Sequence, residues 1–346
     1  MAIMRVGVDL AKQVFQLHGV DERGKGVLKR KLKRSEMVEF FQQLPPCMVA
    51  MEACGSAHHW ARVLSAMGHS VKLIAPQFVK PYVRGNKNDA NDAAAICEAA
   101  SRPDMRFVPP KSAAQQDIQA LHRVREQVAG QRVAKANQIR GLLAEYGIVV
   151  GLRIAVLRQQ LPLILEDGEN GLSGDFRQLL GELHEELVTL EDRLATLDER
   201  LERQARENPL MRRLMQLRGI GPVIASAIVG AIGDGREFKT GRGAAAWVGL
   251  VPAHSGTGGT VRLKGISKRG NSYLRRLLIH GARSVIAHAH RHHDRLSLWV
   301  MALKARRHAN VAAVALANKT MRMAWALLSR KCDYDPDYGL APAEQR

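Results

Sequence analysis

Phe176, Leu180, Leu183, Leu187, Leu190, Leu194, Leu197 and Leu201 follow one another at alternating steps of four and three residues. Only an α-helix turns that spacing into one continuous apolar stripe, and Glu and Arg residues flank it as a solvated helix requires. Residues 176–201 are therefore expected to be a single long helix whose stripe must be covered. The seam persists for more than three heptads, so a self-associating coiled coil is the favoured cover. The alternative is an internal hairpin against residues 112–146, a second long helical stretch without proline and with glycine only at Gly130 and Gly141. That stretch carries Arg123, Arg125, Arg132, Lys135 and Arg140, which suit either a solvated face or a phosphate backbone.

Before the helices, the hydrophobic pattern changes period. Residues 4–10, 14–20 and 27–33 read as three strands, and 47–51 is a short apolar strand running into Glu52. A helix over 58–67, a strand over 71–74 and a helix opened by Asp89 and Asp92 follow, which makes the N-terminal third an α/β domain. Asp9 ends the first strand and Glu52 the fourth. If those strands are neighbours, both acids lie at one end of the sheet, and Asp89 and Asp92, at i and i+3, share a helix face. Converging carboxylate oxygens suit a hard divalent cation. A strand-end acid and a helix N-cap are the plainer readings of the same residues.

Charge separates the other parts. The whole chain of 346 residues carries a formal +19. Residues 211–331 hold 22 basic and 3 acidic residues, whereas 151–210 hold 7 basic and 13 acidic. A surplus of that size in one segment predicts a polyanion-binding domain, nucleic acid first. Within it, residues 217–232 read as a helix–hairpin–helix, with Gly219 and Gly221 in the turn and the next helix N-terminus available to phosphate. Residues 252–259 read as a mobile glycine loop carrying Ser255, with Gly256, Gly258 and Gly259, followed by Arg262, Lys264, Lys268, Arg269, Arg275 and Arg276. His288, His290, His292 and His293 are spread around a helix with only Asp294 nearby, so they read as surface or nucleic-acid-contacting residues rather than a metal site.

Three segments, VGVDLAKQVFQLHGVD, VAMEACGSAHHWARVL and KNDANDAAAICEA, resemble the D-E-D-D segments of the DEDD transposases of bacterial insertion sequences. The stretch AAAWVGLVPAHSGTGGTVRLKGISKRGNSYLRRLLIHGAR resembles the C-terminal domain of the same family, described as bridge-RNA-guided serine recombinases. The resemblance spans roughly residues 4–330. It implies a RuvC-like (ribonuclease-H-like) domain over 1–110, a helical coiled-coil spacer for dimerisation over 111–210, a mainly α basic transposase domain over 211–331 and an acidic tail over 332–346. It further implies that Asp9, Glu52, Asp89 and Asp92 hold Mg²⁺ (or Mn²⁺) and that Ser255 is the nucleophile, with Thr257 the weaker candidate. Donor and target DNA, a structured non-coding RNA and a homo-oligomer, dimer or tetramer, are the implied partners. In that family the acids come from one subunit and the serine from another.

Two other classes remain open at this point. A junction resolvase would need the four acids and no protein nucleophile, and a non-catalytic nucleic-acid scaffold would need only the basic domain. Cys47, Cys54, Cys97 and Cys332 are widely spaced, so a disulfide framework and a zinc ribbon are not expected. With neither a basic leader nor an apolar run long enough for a bilayer, a cytoplasmic protein without membrane contact, nucleoid-associated when bound to DNA, is expected.

Overall fold

The computed structural model describes residues 2–83, 88–257 and 260–336, apart from the side chains of Thr257 and Val261. Gly258, Gly259 and residues 337–346 of the acidic tail lie outside the described residues. The chain divides into two compact units, 1–113 and 114–346.

The first unit is α/β. Its elements are β1 (Arg5–Leu10), β2 (Val14–Val20), β3 (Gly26–Lys33), α1 (Met37–Gln43), β4 (Met48–Glu52), α2 (Ala57–Ala66), β5 (Ser70–Ile74), α3 (Pro76–Val79), α4 (Asp89–Ala99) and β6 (Phe107–Val108). They build one mixed sheet in the order β3-β2-β1-β4-β5-β6. β1, β2 and β3 form an antiparallel meander, β4 and β5 run parallel to β1, and β6 closes the edge antiparallel to β5. The alternation along β1 and β4 separates two cores. Val6, Val8, Val49 and Met51 pack under α2 with Phe15, Leu17, Trp60 and Leu64, whereas Ala50 faces Ile96 and Ala99 of α4. Gly7 lies on this second face. A Cβ there would stand 2.3 Å from the Ala93 carbonyl oxygen and 2.6 Å from the Cys97 nitrogen. Only glycine lets the α4 backbone come so close to the strand.

The second unit is mostly helical: α5 (Ala113–Ala144), α6 (Ile154–Glu166), α7 (Gly174–Glu207), α8 (Pro209–Met215), α9 (Pro222–Ile232), α10 (Gly241–Val248), β7 (Pro252–Thr257), β8 (Thr260–Ile266), α11 (Ser272–His288), α12 (Arg295–Arg306) and α13 (Ala309–Arg330). α7 is the long helix that the leucine spacing requires. Its stripe is covered within the chain, which is the internal-hairpin alternative for the seam. Leu180, Leu183 and Leu187 pack with Ile139 and Leu143 of α5 and Leu157 and Leu161 of α6, while Leu194, Leu197 and Leu201 pack with Leu121 and Val128 of α5. The ion pairs Arg125–Asp198, Arg132–Glu191 and Lys135–Glu186 run in opposite sequence directions, so α5 and α7 are antiparallel. Several of the basic residues on α5 are thus ion-paired within the unit. The third core joins α8 to α13 around Ile228, Val248, Leu278 and Met321. Among the described residues, no helix is long and apolar enough to cross a membrane.

Residues 252–257 also depart from expectation. Their glycine content reads as a mobile loop, yet Pro252–Thr257 is a strand paired antiparallel with Thr260–Ile266. The β-branched content of residues 260–266 favours the extended backbone that this pairing uses.

Candidate active site

The carboxylate site follows from strand register. β1 and β4 are parallel neighbours, aligned Gly7 with Ala50 and Val8 with Met51. One residue further along, Asp9 and Glu52 stand at the same end of the sheet. They have the parity of Gly7 and Ala50, so the pleat turns both toward the face that α4 covers. α4 begins at that end. Its N-cap is Asn88, whose side-chain oxygen accepts the Asn91 backbone N–H at 2.8 Å. Capping therefore does not occupy Asp89 or Asp92, and both project from the first turn. There the helix dipole favours negative charge.

The outcome is a cluster in which one carboxylate oxygen each from Asp9, Asp89 and Asp92 lies within 4.8 Å of the others. Glu52 is outside that 4.8 Å set. It remains close enough that its charge, with that of Asp9, pushes the neighbouring Cys54 thiol above its usual pKa, after the larger effect of burial. Three carboxylates at this spacing repel one another unless a cation or proton intervenes. The donor set is all oxygen, which fits a hard divalent cation and not a soft one.

Ser255 belongs to the second unit, on β7, and is exposed. Its register partner on β8 is Arg262. Directly opposed residues of an antiparallel pair have Cβ atoms about 5 Å apart on one face. Lys264 shares the parity of Arg262, so the ribbon carries a hydroxyl and two cations on one side. Lys268 adopts a left-handed backbone (φ 54°), and with Arg269 it lies between the ribbon and α11. Arg275 is used structurally, since its guanidinium donates to the carbonyls of Val248 and Arg269, both at 2.9 Å. Arg276 pairs with Glu126 and lies over the Tyr273 ring.

Gly219 has a packing reason of its own. With φ +81° it abuts α11, and a Cβ at Gly281 would fall 2.2 Å from the Gly219 oxygen. Gly221 is the N-cap of α9, and open space surrounds its Cβ position. Among the described residues the four histidines of 288–293 form no ligand group, and Asp294 caps α12 while pairing with Arg218 at 2.7 Å.

One group went unnoticed in the sequence. His122, only 4% exposed, bridges three helices: its ring nitrogens contact Tyr273 Oη at 2.9 Å and Ser226 Oγ at 3.0 Å. Ser226 donates its own proton to the Pro222 carbonyl at 2.7 Å, so Nε2 carries the imidazole proton and Tyr273 donates to Nδ1. Burial, helped by the Arg125 charge, lowers the His122 pKa to about 4. A lone histidine on a helix face gives no sequence signal of such a network.

Known proteins repeat this two-part arrangement. Residues 6–148 match a family model of the DEDD type described as a transposase, and residues 211–313 match one described as the transposase IS116/IS110/IS902 family. A probable family 20 transposase of Pseudomonas aeruginosa is 53% identical over 337 residues, covering 97% of this chain and all of the relative. The transposase for insertion sequence element IS1111A of Coxiella burnetii is 44% identical, over 95% of this chain and 90% of that one. The transposase for insertion sequence element IS1328 of Yersinia enterocolitica is 41% identical, over 94% and 96%.

Proposed function

Because the chain belongs to the IS116/IS110/IS902 family of insertion-sequence transposases, we propose that it moves DNA by a serine-linked, metal-assisted strand exchange. The convergence of Asp9, at the end of β1, with Asp89 and Asp92 in the first turn of α4 carries this reading, with Glu52 nearby at the end of β4. Those four carboxylates would hold Mg²⁺, or Mn²⁺ in its place. When bound, the ion supplies charge neutralisation at the scissile phosphate.

Ser255 is the proposed nucleophile. Its oxygen forms a bond to phosphorus as the bond from phosphorus to a deoxyribose oxygen breaks, and the serine proton ends on the released sugar hydroxyl. The phosphodiester is exchanged for a phosphoserine ester, so no bond energy is lost to water and the strand can be rejoined. Arg262, opposite Ser255 in the ribbon, is placed to stabilise the phosphoryl oxygens during attack. Thr257 remains the weaker candidate.

Residues 1–110 then form a RuvC-like catalytic domain, 111–210 a helical spacer, and 211–331 the basic DNA-holding domain, with its helix–hairpin–helix at 217–232. Of the basic residues from Arg262 to Arg276, Arg275 and Arg276 have partners within the chain, which leaves Arg262, Lys264, Lys268 and Arg269 for phosphate. A structured non-coding RNA selects donor and target DNA, and the protein works as a homo-oligomer.

Replacing Ser255 with Ala tests the nucleophile. The variant is expected to bind DNA and to form neither a covalent protein–DNA adduct nor recombinant product. Persistent junction cutting by it would favour a resolvase-type hydrolysis, and normal recombination would eliminate the serine mechanism. Asp9→Asn, or chelation with EDTA, is expected to abolish cleavage while leaving binding intact; strand exchange without a divalent ion would remove the metal from the mechanism.

A further inference from the structure

The carboxylate end of the sheet carries a second feature, on the opposite face. Gln13, Val14, Lys33, Arg34, Ser35, His59 and Trp60 line a cleft of about 650 Å³. It lies where β2 starts, β3 ends and α2 begins, all at the end of the sheet that bears Asp9. Gln16 is the register partner of Asp9, and Val14 is two residues further along the same strand. At about 3.3 Å per residue and 4.8 Å between strands, Val14 on the floor of the cleft is about 8 Å from the Asp9 backbone.

Its chemistry is cationic and open to acceptors. Among the described residues neither Lys33 nor Arg34 has a carboxylate partner. The nearest acid in sequence, Glu36, instead accepts the Lys33 backbone N–H. Arg34 is held over the rings of Trp60 and Phe15, at 5.4 and 5.8 Å, which fixes the guanidinium without neutralising it. Trp60 is 4% exposed, and its indole N–H has no acceptor among the described residues. That N–H is closed to solvent, so Trp60 serves the cleft through its ring, on which the Arg34 guanidinium rests. The side chains of Gln13 and Ser35 can each donate to an anionic oxygen as well.

We propose that this cleft seats the sugar–phosphate backbone of a nucleic-acid strand, a few nucleotides from the bond that the carboxylates act on. The assignment of a cut-proximal strand rests on reading those carboxylates as the cleavage centre. The volume admits a nucleotide. A guanidinium held over two rings, a lysine beside it at the end of an edge strand, the Gln13 and Ser35 donors and the lack of any acid among the lining residues together select a phosphodiester over a neutral or cationic ligand. Lys29, Arg30 and Lys31 continue the basic run along β3 away from the cleft. They supply general attraction and not the seat itself.

The test uses the full-length chain in EDTA, so that cleavage plays no part, with labelled oligo-dT and oligo-U as probes. Lys33→Glu is expected to weaken binding roughly tenfold and to flatten the salt dependence by about 0.7 in log–log slope for each phosphate it ceases to neutralise. Lys29→Glu lies on the same strand about 13 Å away and is expected to change affinity less than about twofold. Trp60→Phe shrinks the ring that supports Arg34, and a severalfold loss is expected with thermal stability monitored alongside. A larger loss with oligo-dT identifies a DNA strand, a larger loss with oligo-U an RNA strand, and equal losses identify the shared backbone. Unchanged affinity in a folded Lys33→Glu protein would overturn the proposal, and so would an equal loss from Lys29→Glu. If Asp9→Asn still cleaved while Lys33→Glu failed to bind, the cleavage reading would fail and the cleft would stand.

Discussion

Gly7 sets how near α4 can come to β1, and with it how near Asp89 and Asp92 can come to Asp9. The two nearest obstacles to a Cβ at this position are backbone atoms of α4, which cannot rotate aside. Gly7→Ala is therefore expected to cost about 1–3 kcal/mol in denaturant unfolding, the usual range for overpacking a tight interface. If the carboxylates hold Mg²⁺ or Mn²⁺ as proposed, adding the ion is expected to raise the Tm of the unmodified protein, and Gly7→Ala is expected to weaken that rise. His122 makes a second prediction at this scale. Its pKa lies near 4 in the folded chain against 6.5 ordinarily, so folding favours the neutral ring. The resulting stability is fully present above about pH 6.5 and is lost as pH falls toward 4, amounting to about 3 kcal/mol. Denaturant unfolding at neutral and acid pH checks this, with His122→Asn expected to remove that part of the pH dependence. The placement of Asp9 and Glu52 at one end of the sheet was legible from their positions at strand ends. The importance of Gly7 was not, because one glycine among alternating residues does not reveal which helix will cross it.

A heptad spacing specifies which face of a helix is apolar and leaves its partner unspecified. For α7 the partner is α5, antiparallel in the same chain, joined at one end by α6, which the sequence did not announce. Leu187 is fully buried against α5 and α6, so Leu187→Ala is expected to lower unfolding stability by about 2–5 kcal/mol. The sedimentation coefficient of the folded protein should not change, as it would if the seam joined two chains. The ribbon of β7 and β8 was misread for a related reason. Glycine content outweighed the β-branched residues of β8, and strand pairing is a nonlocal property that no window of a few residues reports. The mixed sheet, by contrast, was legible in its strands and helices, because each has a clean period. Its order depended on β4 inserting beside β1, where Asp9 and Glu52 become neighbours.

At the scale of the molecule, acidic chemistry belongs to the first unit and the greater part of the positive charge to the second. Nucleic-acid affinity is expected to fall steeply and linearly on a log–log plot as salt rises, because each neutralised phosphate releases counterions. A filter-binding or anisotropy titration over salt measures the slope, and a flat response would contradict a phosphate-tracking role for residues 211–331. The burial of the α7 seam by α5 has a further consequence for how such genes can be recombined. A fragment starting near residue 150 would shed the helix that shields Leu194, Leu197 and Leu201, and would present a greasy ridge to every other copy of itself. Chimaeras between related transposases should accordingly remain soluble when spliced near residue 113 and clump when spliced after α5. The joint near residue 113 is the place where the two units can be exchanged without uncovering the seam.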